Sequence, residues 1–173
     1  MRWIWIDKFT EFVSGSHAVA VKNVTLAEEF LQDHFPGYPV MPPSLVIEGM
    51  AQTAGILVGE ARGFRENVIL AKIREAQFSD YAVPGDRLSY HARMESITDA
   101  AAATVGEVLL NDRAIGQVNL MFSHVGQSGA AMGLPSHNFV FTEQFMRLFE
   151  RFRDGVVASA GPSDVDRAAS CQP

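Results

Sequence analysis

At 173 residues, 47 % apolar and 20 % charged, the chain has the size and balance of one soluble globular domain with a real core. A formal net charge of −6 excludes a general nucleic-acid binder, because phosphate binding needs a basic surface. The single cysteine, Cys171, excludes an internal disulfide and a metal site built from cysteines.

The first residues carry Asp7 and no long apolar run, so no signal peptide is expected and the cytoplasm is the default location. Trp3–Phe12 is rich in aromatic and branched side chains and predicts a strand. Ser14-Gly15-Ser16 is a turn signal, and His17–Val24 predicts a second strand that closes a hairpin. Thr25-Leu26-Ala27-Glu28 has the spacing of a capping box, which predicts a short helix from there to about Leu31. His34–Pro43 is expected to be a loop, since Pro36, Pro39, Pro42 and Pro43 have no N–H to donate.

Pro43 or Ser44 should then open a helix that runs to about Arg62, with Gly63 as a left-handed stop. Between Pro42 and Val58 the only charge is Glu48. A helix apolar all round is a buried helix, and a carboxyl group inside one is costly unless it is paired or used. The run approaches membrane-span length, but Gly, Pro, Gln and Glu interrupt it, so a core helix is expected and no membrane insertion. Gly49, Gly55 and Gly59 weaken it intrinsically, which points to close approach of a sheet or partner helix.

The remainder reads as β structure. Val68–Phe78 is a strand candidate and residues 81–86 form a turn. Arg87–Glu95 alternates, with Leu88, Tyr90, Ala92 and Met94 on one face, as a half-buried antiparallel strand does. Ala102–Leu110 and Ala114–Ser123 around Asn111-Asp112 predict a final hairpin. One helix enclosed by an antiparallel sheet is an α+β architecture. Residues 1–125 are expected to form this domain, and 126–155 a small-residue linker plus an amphipathic helix over Thr142–Asp154. Residues 156–173 are expected to be a disordered tail. The helix stripe of Phe145, Met146, Phe149 and Phe152 is expected to dock beside the core, near the mouth of a tunnel if one exists.

His34-Phe35-Pro36-Gly37, Pro39, Met41-Pro42, Glu48, Ala51 and Gln52 together resemble the signature of the FabZ-type 3-hydroxyacyl-[acyl-carrier-protein] dehydratases. Val83-Pro84-Gly85-Asp86 before a strand is similar to the family as well, and His34 and Glu48 stand 14 residues apart as they do there. The likeness spans about residues 3–125. It implies the hot-dog fold, in which a long helix is wrapped by an antiparallel sheet. It also implies a homodimer, alone or as a trimer of dimers.

The resemblance implies syn elimination of water from a 3-hydroxyacyl thioester carried on acyl carrier protein or coenzyme A. By matched position His34 would remove the α-proton, Glu48 would protonate the departing hydroxyl, and Gln52 would orient it. The histidine of one protomer would serve the glutamate of the other. Gly37, Pro43 and Ser44 fall at the substrate-binding end. Where the family carries a glycine whose N–H binds the thioester carbonyl, this chain has Pro43, which has no N–H, so Ser44 N–H and the helix dipole would carry that role. No metal and no cofactor are implied.

Two other readings remain at this point: a hot-dog thioesterase and a non-catalytic acyl-thioester binding module. His34 argues against the first, and the His34/Glu48 pair against the second. His17, His91, His124 and His137 show no metal-ligand spacing. Arg62, Arg65, Lys72 and Arg74 form a local basic group, expected as a solvated surface salted by Glu60, Glu66 and Glu75, with docking of an acidic carrier protein as the alternative.

Overall fold

The computed structural model describes residues 4–125, 135 and 137–153, without the side chains of 152 and 153. In chain order the elements are β1 (Lys8–Val13), β2 (His17–Asn23), α1 (Phe30–Asp33), α2 (Pro43–Ala61), β3 (Asn67–Phe78), β4 (Arg87–Ile97), β5 (Ala101–Leu110), β6 (Arg113–Val125) and α3 (Glu143–Arg153). The six strands form one sheet in the order β1-β2-β4-β5-β6-β3, and every pairing is antiparallel. The sheet wraps α2, so the molecule has the α+β hot-dog architecture.

Along α2, Val46, Met50, Ala54, Leu57 and Val58 are all 4 % exposed or less, as an apolar helix inside a sheet must be. The glycines let neighbours come close. A β-carbon at Gly49 would strike the Tyr90 ring of β4, and one at Gly59 would strike the Phe141 ring. The helix ends as its sequence predicts, with Gly63 at φ +63° and Phe64 N–H returning to Gly59 O at 2.8 Å.

In β4 the inward positions Leu88, Tyr90 and Ala92 are buried and Met94 is half-buried, but Ser89, expected on the polar face, is buried as well. Two N-terminal expectations need correction. Residues 4–6 are not strand: Trp5 N–H donates to the Gln52 side chain at 2.8 Å, so these residues run against α2 before β1 starts at Lys8. Thr25–Glu28 does not open a helix either. The Glu28 carboxylate that should close the box instead binds Lys22 Nζ at 2.6 Å, and α1 starts only at Phe30. A nearly buried ammonium needs that partner more than a short helix needs a cap.

α3 packs its apolar face on β1 and on the turn after α2. Phe149 is 2 % exposed and meets Phe9, Phe12 and Phe64 edge-on, at 6.0, 5.6 and 5.3 Å between ring centroids. The chain leading into α3 is fastened at two asparagines. Asn67 Oδ1 accepts from the N–H groups of Phe139 and Val140, and Asn138 Oδ1 from those of Val140 and Phe141. The linker expected over 126–133 and the tail from 156 lie outside the described residues, as does the Phe152 side chain. Among the described residues no helix is long and apolar enough to cross a membrane.

Candidate active site

Glu48 stands on the second turn of α2 and Gln52 one turn further along the same face. Gln52 Nε2 donates to Glu48 Oε1 at 2.9 Å, while Gln52 Oε1 accepts from Trp5 N–H at 2.8 Å. The backbone thus fixes the amide's orientation: its oxygen faces Trp5, so its nitrogen faces the carboxyl group. Glu48 is half-buried, and its second oxygen has no hydrogen bond among the described residues.

The two side chains form the polar end of a cleft of about 290 Å³. Ala51, Gly55 and Ile56 continue the helix side of it, and Ile4, Ile6, Val68, Leu70 and Phe122 supply apolar walls. Val140, Phe141 and Phe145 complete the lining from the C-terminal segment. An apolar cleft with a few convergent polar groups is the usual form of a small-molecule site.

His34 is not among the residues that line this cleft. It follows α1 and opens a tight loop in which Phe35 and Tyr38 exchange backbone hydrogen bonds at 3.2 and 2.9 Å. Gly37 supplies the positive φ of +82° that this turn requires, at the exposed tip. Val40 N–H closes back on His34 O at 3.0 Å, and Met41 N–H ties the loop to Ala82 O at 2.8 Å. The His34 ring is half-buried and stacks on Phe35 at 4.2 Å, and neither ring nitrogen is hydrogen-bonded among the described residues. Phe35 and Tyr38 are 53 % and 65 % exposed.

Pro43 is the first residue of α2, after Pro42 as N-cap. Leu45 and Val46 N–H both bond Pro42 O, at 2.9 and 3.3 Å. Pro43 has no N–H, so Ser44 N–H is the donor that the first turn leaves for a ligand. Ser44 itself is exposed.

Of the predicted site residues, then, Glu48 and Gln52 come together in one cleft, while His34, Gly37, Pro43 and Ser44 belong to the loop and helix start outside it. Trp5, Val140 and Phe141 were not singled out in the sequence. Trp5 contributes a main-chain N–H, which any residue type has. Phe145 belongs to the stripe expected to dock beside the core near a tunnel mouth, and it lines this cleft.

The basic group is largely a salted surface. Arg62 pairs with Glu66 and Asp99, and Arg74 with Glu95. The Asp99 hydrogen bond is the main cause that raises the Arg62 pKa further. Glu75 is not one of the partners; it accepts from Asn119 and Gln77 instead. His17 pairs with Glu11 at 2.8 Å on the outer sheet face. Among the described residues no three His, Cys, Asp or Glu side chains are placed to hold a metal ion.

A family model described as a FabA-like domain matches residues 3–119. The 3-hydroxyacyl-[acyl-carrier-protein] dehydratase FabZ of Rhodospirillum rubrum is 42 % identical over 96 residues, which is 54 % of this chain and 60 % of that protein. The enzyme of the same name from Lactobacillus helveticus is 38 % identical over 120 residues, or 69 % of this chain and 81 % of that one. The solved dehydratase heterocomplex ApeI:P from Xenorhabdus doucetiae superposes at a TM-score of 0.63 and 17 % identity, over 75 % of this chain and 88 % of its own. A hypothetical thioesterase with coenzyme A from Streptococcus pneumoniae superposes at 0.55 and 8 % identity, over 69 % and 85 %. At such identities the two structures speak for the fold alone. The family match covers most of the chain, including the loop and the helix that carry His34, Glu48 and Gln52: the chain belongs to the FabA-like family.

Proposed function

We propose that this protein is a 3-hydroxyacyl-[acyl-carrier-protein] dehydratase that converts 3-hydroxyacyl thioesters to trans-2-enoyl thioesters in fatty-acid or related lipid synthesis. The observation that carries the reading is the oriented Glu48–Gln52 pair at the polar end of an otherwise apolar cleft. Its relatives among the FabZ dehydratases support the same reaction.

In the reaction, His34 takes the proton from the carbon next to the thioester carbonyl. The electrons of that C–H bond become the new C=C bond, and the C–O bond at the third carbon breaks. Glu48 delivers a proton to the departing hydroxyl, which leaves as water. A neutral imidazole suits the first step, provided the developing enolate is stabilised. Gln52 holds Glu48 in place. The thioester oxygen lies at the start of α2, where Ser44 N–H and the helix dipole offset its developing charge.

The His34 that completes a site comes from the partner protomer of a homodimer. Three features favour this: His34 lies outside its own chain's cleft, its loop exposes Phe35 and Tyr38, and the edge strand β3 exposes Leu70 and Ile73. Arg65 and Lys72, exposed and without an ion pair among the described residues, would meet an acidic carrier protein. The cytoplasm, where such a carrier would be found, is the proposed location.

The deciding experiment gives the protein a crotonyl thioester, on carrier protein and on coenzyme A. Addition of water across the double bond, with the thioester intact, is the expected result. Release of free thiol would make the protein a thioesterase. Binding without either reaction would make it an acyl-thioester binding module.

A further inference from the structure

The family match ends at residue 119, yet the cleft that holds Glu48 is closed in part by Val140, Phe141 and Phe145. We infer that the appended segment 137–153 is a chain-length stop: it forms the end wall of the acyl site and limits the acyl group to about twelve carbons. The inference rests on the dehydratase reading for the identity of the occupant, but the wall itself is a matter of packing.

The cleft has a direction. Its helix residues run from Glu48 through Ala51, Gln52 and Gly55 to Ile56, one face of α2. At 1.5 Å per residue these eight steps span about 12 Å. Phe141 lies against Gly59, one turn beyond Ile56, and the Phe145 ring lies 5.4 Å from that of Phe141. The aromatic pair therefore sits at the end of the cleft opposite to the carboxyl group. An extended chain advances about 1.2 Å per bond, taking three backbone bonds to about 3.6 Å, so about ten bonds beyond the third carbon, whose hydroxyl Glu48 serves, fill that span. The volume agrees: 290 Å³ holds about ten groups the size of a water, at about 30 Å³ each.

The wall is also built to stay where it is. The Asn67 and Asn138 side chains hold the 139–141 backbone, and Phe149 anchors α3 among Phe9, Phe12 and Phe64. A packed aromatic end wall rejects an extra methylene by clash rather than by weak attraction, so the limit should be sharp.

The test compares full-length wild type with Phe145→Ala, Phe145→Leu and Phe145→Trp on 3-hydroxyacyl thioesters of four to sixteen carbons. Binding of the saturated acyl-coenzyme A series is measured in parallel. In wild type, kcat/KM and affinity should fall at least tenfold for chains beyond about twelve carbons, since one methylene is worth about tenfold or more. Alanine and leucine should move the limit outward, and tryptophan should move it inward. If alanine loosens the fold, leucine and tryptophan carry the comparison. A limit that stays put in the folded variants, or a wild type that takes sixteen carbons as readily as eight, overturns the inference. If no thioester turns over but the binding limit moves as expected, the chain-length stop stands and the dehydratase reading falls.

Discussion

Pro43 has no N–H, and the turn around it leaves only Ser44 N–H for the enolate oxygen of the proposed reaction. The wild type should therefore turn over slowly. Pro43→Gly should raise kcat by up to about 10²-fold, the lower end of what one oxyanion donor contributes, with a smaller change in KM because the gain comes in the transition state. Stability should drop by roughly 1 kcal/mol, since glycine frees the unfolded chain. Steady-state kinetics on both proteins, with an unfolding curve for each, checks this. A flat or lower rate in a folded variant would mean that the oxygen binds elsewhere.

A second single-residue test concerns Tyr90, buried over Gly49 with no hydrogen-bond partner for its hydroxyl among the described residues. Burial first, and the charge of Asp7 second, push its pKa well above the ordinary tyrosine value. The folded state favours the neutral phenol, so the stability it holds is present below about pH 10 and is lost as the pH climbs past that value. Tyr90→Phe should keep or raise stability at neutral pH and flatten the alkaline loss, read from denaturant midpoints between pH 7 and 11. Loss of stability at neutral pH would show that the hydroxyl has a partner. Tyr90 was legible in the sequence only as an inward position of an alternating strand. Glu48 was legible as more, because a lone charge on an apolar helix asks for a reason. The Trp5–Gln52 bond was not legible, since it joins a main-chain N–H to a residue 47 positions away.

Among the elements, α2 and the inward positions of β4 could be read from their residues because pattern and burial agree along them. α1 could not. Its expected start at Thr25 depended on Glu28 turning back to the cap, and Lys22 claims that carboxylate. The C-terminal segment was legible as an amphipathic helix through its Phe145, Met146 and Phe149 stripe. That the approach to it forms a wall of the cleft was hidden, because the link runs through Asn67, whose side chain reaches residues 139 and 140. Asn67→Ala would leave the Phe139 N–H without its acceptor, at about 1–3 kcal/mol if it stays buried, while the Val140 N–H would keep only Asn138 Oδ1. The variant should unfold at lower denaturant, and the amides of Phe139 and Val140 should exchange with solvent faster than those of β5. Unchanged exchange at both amides would mean that Asn67 does not hold the segment.

At the scale of the whole molecule, the proposed reaction needs two chains for each working site. A single protomer keeps Glu48 in its cleft and His34 outside it, and leaves Phe35, Tyr38, Leu70 and Ile73 in water. The protein should sediment as a dimer or a larger even assembly at micromolar concentration. The most direct measurement mixes two dead variants. His34→Ala and Glu48→Ala should each fold, dimerise and lose hydration of a crotonyl thioester, by about 10²-fold or more for a lost acid–base group. After subunit exchange, confirmed by a mass tag on one variant, heterodimers should hold one intact site and recover a substantial fraction of wild-type activity. Confirmed exchange with no recovery would contradict a site shared between two chains.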